Sequence, residues 1–156
     1  MKKYLISIEQ PDSPRLHAFF KNVTFYKYKH EFQKFGVIGA NLPTKQYFQY
    51  AVAGKQRPLS PAELGCTLSH VQALRDFLSS DERYACIFED DAMCIHDFDL
   101  NDLDKEIDSL KLKDTFYLSL GGIKLKVNRR VRGHFLTERL KNRKVVLFPD
   151  TSKNSA

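Results

Sequence analysis

Three consecutive carboxylates, Glu89, Asp90 and Asp91, follow directly on the apolar run Tyr84-Ala85-Cys86-Ile87-Phe88. Like charges this close repel one another, and they persist in water or around a cation. Oxygen donors of this kind suit a hard divalent ion such as Mg2+ or Mn2+. Side chains alternate along extended backbone, so Glu89 and Asp91 are expected on one side and Asp90 on the other. A metal would then take Asp91 with one neighbour, together with the diphosphate of a nucleotide. A solvated acidic turn is the plainer alternative. The charge excludes a site for a bare anion.

A second group of chemistry-bearing residues is Gly65-Cys66-Thr67-Leu68-Ser69-His70. At helical spacing Ser69 and His70 fall toward the face of Cys66, Ala73 and Phe77, away from a stripe of leucines. A histidine there is either a satisfied structural residue or a catalytic one, and spacing alone does not choose. The sequence holds no nucleophile elbow, P-loop or GxGxxG fingerprint. Cys66, Cys86 and Cys94 are odd in number and form no CxxC pair. Disulfides and structural zinc are therefore not expected, and all three read as buried reduced thiols.

These residues need elements to hold them. Residues 3 to 8, KYLISI, read as a first strand. A short helix follows, with Ser13 as N-cap and Pro14 at its first position. VTFYKYK, residues 23 to 29, alternates apolar and polar-tipped residues and reads as a second strand. A loop around FGVIGANLP leads to a helix near Lys45 to Ala53. Ser60 and Glu63 form a capping box with Pro61 at N1, predicting a helix from Pro61 to Ser79 with a break at Gly65. Its buried stripe is expected along Leu64, Leu68, Val71, Leu74 (or Arg75) and Leu78. YACIF suits a strand covered on both faces, the interior of a parallel sheet. A helix near Asn101 to Leu110 and strands at TFYLSL and VVLF complete the expectation. The terminal TSKNSA reads as frayed.

The helix ELGCTLSHVQALRDFL, followed by the strand YACIFEDDA, resembles glycosyltransferase family 25. That family includes bacterial lipooligosaccharide galactosyltransferases and relatives of the collagen galactosyltransferases. Its pattern is an E-(I/L)-G-C-x-x-S-H helix and then an apolar strand ending in EDD. The opening YLISIEQPDSPRL resembles the family's first strand and turn, with Ser13 and Arg15 in place but one arginine where many relatives carry two. FGVIGANL and FYLSLGG resemble its next loop and a later strand, so the likeness spans residues 3 to 123.

The resemblance implies an α/β, GT-A-like (Rossmann-type) fold that binds a nucleotide sugar, incomplete at the C-terminus. It implies transfer of galactose from UDP-galactose to a lipooligosaccharide core sugar, with inversion and assisted by Mn2+ or Mg2+. EDD would be the counterpart of the DxD motif, with Glu89 and Asp91 on the metal. Asp90, Asp91 and His70 are the candidate catalytic residues. Ser7, Ser13 and Arg15, near the first strand's end, are candidates for the nucleotide, as are Gly65, Ser69 and Glu89. Residues 1–123 would form the donor-binding domain and 124–156 a basic segment standing where a shortened acceptor region is expected. Family members run longer than this chain, so the alternative is an inactive remnant that binds a nucleotide sugar or a partner.

Bulk properties are those of ordinary globular material, neither disordered nor membrane-spanning. The chain has 156 residues, 42% hydrophobic and 28% charged, enough for one ordinary globular core. No apolar run approaches the roughly 18–20 residues that cross a bilayer, and the N-terminus lacks a cleavage site, so a cytoplasmic protein is expected. The net charge of +6 is unevenly spread: from Lys124 to Lys144 nine Lys/Arg stand against the single acid Glu138. That segment is expected to be a solvated, partly helical face, or a patch for the anionic inner membrane surface or a phosphorylated lipooligosaccharide core. Without an aromatic stacking pattern, nucleic acid is not an expected partner. The sequence leaves the oligomeric state open.

Overall fold

The computed structural model describes residues 1–54, 56–96, 98–112, 115–121 and 133–147. The chain divides into two compact units, Met1–Asp99 and Leu100–Ala156.

The first unit is built on a three-stranded parallel sheet in the order β2-β1-β3. Strand β1 (Lys2–Ile6) is central, flanked by β2 (Phe32–Phe35) and β3 (Ala85–Glu89). Helices α1 (Pro14–Phe20) and α2 (Val23–Tyr26) connect β1 to β2. A 3-10 turn (Gly39–Asn41), α3 (Thr44–Ala51) and the long α4 (Pro61–Leu78) connect β2 to β3. Parallel strands need such crossovers, and here both faces of the sheet are covered. On one face Leu5 packs with Leu16, Phe19, Phe25, Phe32 and Phe88. On the other, Tyr4 and Ile6 pack with Ala73, Phe35, Phe77 and Ile87. The α/β expectation therefore holds, with β1 rather than β3 as the strand having neighbours on both sides among the described residues.

Several local expectations change. VTFYKYK is not a strand. Asn22 caps α2 by accepting the Thr24 N–H, and Phe25 and Tyr28, three residues apart, are both buried. Phe25 stacks on Phe19 with centroids 4.2 Å apart, so the apparent alternation was helical burial read at the wrong period. The second strand begins four residues after Tyr28, at Phe32.

Helix α4 keeps its capping box and runs through Gly65 without a break. Its buried residues are Leu64, Gly65, Ser69 and Ala73, whereas Leu74 and Leu78 are exposed. Small side chains mark the contact because the helix lies close against its neighbours: a Cβ on Gly65 would sit 2.4 Å from the Val37 carbonyl oxygen. Nor are all three cysteines buried. Cys86 is, Cys94 is intermediate, and Cys66 is exposed.

In the second unit α5 (Leu103–Ser109) is the helix expected near Asn101 to Leu110, and it buries Leu103 and Ile107. Strands β4 (His134–Leu140) and β5 (Arg143–Leu147) form an antiparallel hairpin. Lys141 and Asn142, with φ of 44° and 63°, make the left-handed two-residue turn that such hairpins favour. The described part of the basic segment is thus a hairpin and not a helix, because a two-residue turn of this hand pairs the flanking strands. Residues 115–121 form no strand, and Tyr117 is 92% exposed, so this stretch has no interior position of the kind a central strand needs. Residues 124–132, Phe148 and TSKNSA lie outside the described residues.

Candidate functional site

All three strands of the first unit are parallel, so their carboxyl ends lie along one edge of the sheet, where open α/β sheets bind ligands. Close backbone packing shapes this edge. A Cβ on Gly36 would come within 2.1 Å of the Ser7 carbonyl oxygen, and one on Gly39 within 2.0 Å of the Pro61 carbonyl oxygen. Glycine lets the β2 loop pass between the end of β1 and the start of α4.

All three candidate serines, Ser7, Ser13 and Ser69, spend their hydroxyls on backbone. Ser7 is buried and its Oγ accepts the Glu9 N–H at 3.1 Å. Ser13 caps α1, accepting the Leu16 N–H at 3.2 Å. Ser69, 1% exposed, donates to the Gly65 carbonyl at 2.7 Å and accepts the Val37 N–H at 2.8 Å. It therefore ties α4 to the loop after β2. Gly65 is one of the points at which that loop touches the helix.

The charged candidates separate into two groups. Strand β3 ends at Glu89, and the Ala92 N–H closes a turn onto the Glu89 carbonyl at 3.0 Å. Strand alternation stops there, which corrects the expected orientation: Asp90 and Asp91 both approach Arg15, while Glu89 faces α4. Arg15, in the first turn of α1, donates from Nε to Asp90 Oδ1 at 2.5 Å, and its Nη2 lies 3.7 Å from Asp91 Oδ2. The Asp90 carboxylate, first by hydrogen bond and then by charge, raises the Arg15 pKa further. Asp90 is only 10% exposed at its side chain, against 70% for Asp91.

Across the edge, His70 Nε2 lies 3.2 Å from Glu89 Oε1. Cys66, one helical turn before His70, joins them, and one ligand atom from each residue lies within 4.8 Å of the other two. Burial first, and then the Glu89 carboxylate, pushes the Cys66 thiol pKa up. Sequence reasoning passed over Cys66 as core. The signal that could have found it is its i, i+4 spacing to His70, which puts both on one helix face.

The end of β3 carries oxygen donors of the chemical type that divalent ions take. Asp90 and Asp91 share the one guanidinium of Arg15, and Glu89 adds a third carboxylate at the end of β3, so these three acids exceed that cation by two charges. Glu89 and Asp91 are both more than half exposed and carry hard oxygen donors.

A parallel sheet covered on both faces, with charged residues at the carboxyl ends of its strands, defines an α/β fold of the open-sheet class. The family model "Glycosyltransferase family 25 (LPS biosynthesis protein)" matches residues 1–154, and the chain belongs to that family. It is thereby placed among the glycosyltransferases of lipopolysaccharide biosynthesis, with a nucleotide-sugar donor and a lipopolysaccharide-type acceptor. The match runs past residue 123 and takes in the basic segment. No curated protein and no solved structure matches the chain. Among the described residues no helix is long and apolar enough to cross a membrane.

Proposed function

We propose that this chain transfers galactose from UDP-galactose to a lipooligosaccharide core sugar, with inversion, on a GT-A-like fold. The observation that carries the reading is the excess negative charge at the end of β3, beside an arginine, at the edge where open α/β sheets bind ligands. Glu89 and Asp91 would hold Mn2+ or Mg2+. Bound there, the ion would neutralise charge developing on the departing UDP. Arg15 is half exposed, and its guanidinium would add a second positive group toward the diphosphate while keeping Asp90 in place. Gly65 and Ser69 would shape the donor site through the loop after β2, and Ser7 and Ser13 through the loop after β1. Inversion asks one base to take the acceptor hydroxyl's proton, and Asp90, Asp91 and His70 would be the candidates for it. The basic hairpin, with Arg139, Arg143 and Lys144 exposed, would face the phosphorylated acceptor or the anionic inner membrane surface.

The test is calorimetric titration of UDP-galactose, with and without Mn2+, into the wild type, Asp91→Ala and Arg15→Ala. Metal-dependent binding should disappear in Asp91→Ala and weaken in Arg15→Ala. Absence of binding to the folded wild type under both conditions would overturn the donor assignment and leave a non-catalytic member of the family.

A further inference from the structure

Cys66 and His70 stand on one face of α4, and Glu89, the last residue of β3, meets that face. Three different ligand types thus converge from two regular elements. Two light-atom ligands on one tetrahedral zinc, each at about 2.0–2.1 Å, lie about 3.3 Å apart. The His70 Nε2 to Glu89 Oε1 separation, 3.2 Å, is already that length. Cys66 is an exposed residue, so its sulfur can close the remaining distance by a rotamer change.

We propose that Cys66, His70 and Glu89 form a three-ligand site for a transition-metal ion of the Zn2+ class, with its fourth position open to solvent. Thiolate and imidazole favour such an ion over Mg2+ or Mn2+, which prefer oxygen alone. Three protein ligands with an open position are the pattern of sites that bind a water or substrate, rather than of closed structural zinc. Binding takes Cys66 as thiolate and His70 as neutral imidazole, so the thiol proton passes to solvent. With the site filled, His70 is a ligand and proton acceptance at this edge falls to Asp90 or Asp91. Glu89 is shared with the carboxylate group, but the site does not depend on glycosyl transfer.

Metal-free full-length protein is titrated with Co2+, followed by displacement with Zn2+, in the absence of any nucleotide. One equivalent of Co2+ should produce a thiolate-to-metal charge-transfer band, which Zn2+ removes. Cys66→Ser should abolish the band and weaken Zn2+ binding by at least about tenfold, the lower range seen even for altered supporting residues. His70→Ala should weaken Zn2+ comparably. Asp91→Ala and Cys94→Ser should keep the band, and circular dichroism checks that each variant is folded. A band that survives in Cys66→Ser, a wild type without the band, or equal Zn2+ affinity in wild type and Cys66→Ser overturns the site. Because UDP-galactose is absent, the two readings fail separately: loss of donor binding leaves the zinc result untouched, and the reverse.

Discussion

Glu63 shows how far a single side chain can be read from its neighbours in sequence. It completes the capping box with Ser60 and also takes a two-pronged contact from Arg57, at 2.6 and 3.0 Å. The hydrogen bond from Arg57, followed by those from Ser60, lowers its pKa from 4.5 to about 2. A depressed carboxyl contributes stability that is present above its unfolded pKa and lost as pH falls toward its folded one. The wild type should therefore lose its advantage over Glu63→Gln between about pH 4.5 and 2, as read from urea midpoints at stepped pH; an unchanging difference would refute the charge's role. The box was legible because its partners lie three residues apart. Gly65 was not, because what it touches is the loop after β2, remote in sequence. Gly65→Ala should cost about 1–3 kcal/mol by forcing Val37 and Gly39 aside. Gly121→Ala, with nothing within 4 Å, should stay within about 0.5 kcal/mol.

At the scale of elements, length and termini were legible while faces were not. The caps at Ser13 and Ser60 and the apolar run of β3 announce α1, α4 and β3 through local chemistry. Which face of α4 is buried depends on how closely it approaches β1. Tight approach selects Ala73 and Ser69 over the larger Leu74 and Leu78, inverting a reading based on hydrophobic size. The carboxylates were misoriented for a similar reason: alternation is a property of strands, and β3 stops at Glu89. The α4 reading has a direct check. Ala73→Leu should destabilise by about 1–3 kcal/mol against Tyr4 and Ile6. Leu78→Ala, at a position 81% exposed, should change the unfolding free energy by no more than about 0.5 kcal/mol. The opposite ranking would restore the leucine stripe as the buried face.

For the whole molecule, charge is segregated along the chain as the sequence indicated: a carboxylate edge at 89–91 and a cationic stretch at 124–144. What composition could not give is the form of the described cationic part, since hairpin formation turns on the left-handed pair Lys141-Asn142 and not on charge. Along β4 and β5 the side chains of Arg139, Arg143 and Lys144 are exposed, while Lys141 pairs with Glu106 at 3.5 Å within the same unit. A hairpin displays such cations on a fixed ribbon, which suits an anionic surface better than a deep pocket. Near a membrane bearing acidic lipid, each basic residue is worth about 1 kcal/mol, and the attraction falls with ionic strength. Arg139→Glu, Arg143→Glu and Lys144→Glu combined should therefore release the protein from anionic vesicles that retain the wild type. Neutral vesicles should retain neither protein. UDP-galactose titration should be unchanged in the triple variant, because the donor reading rests on Arg15, Glu89 and Asp91 in the first unit. If vesicle binding survives charge reversal or resists added salt, the hairpin is not the contacting surface. If donor binding falls with it, the two functions assigned to the two ends of the chain are coupled.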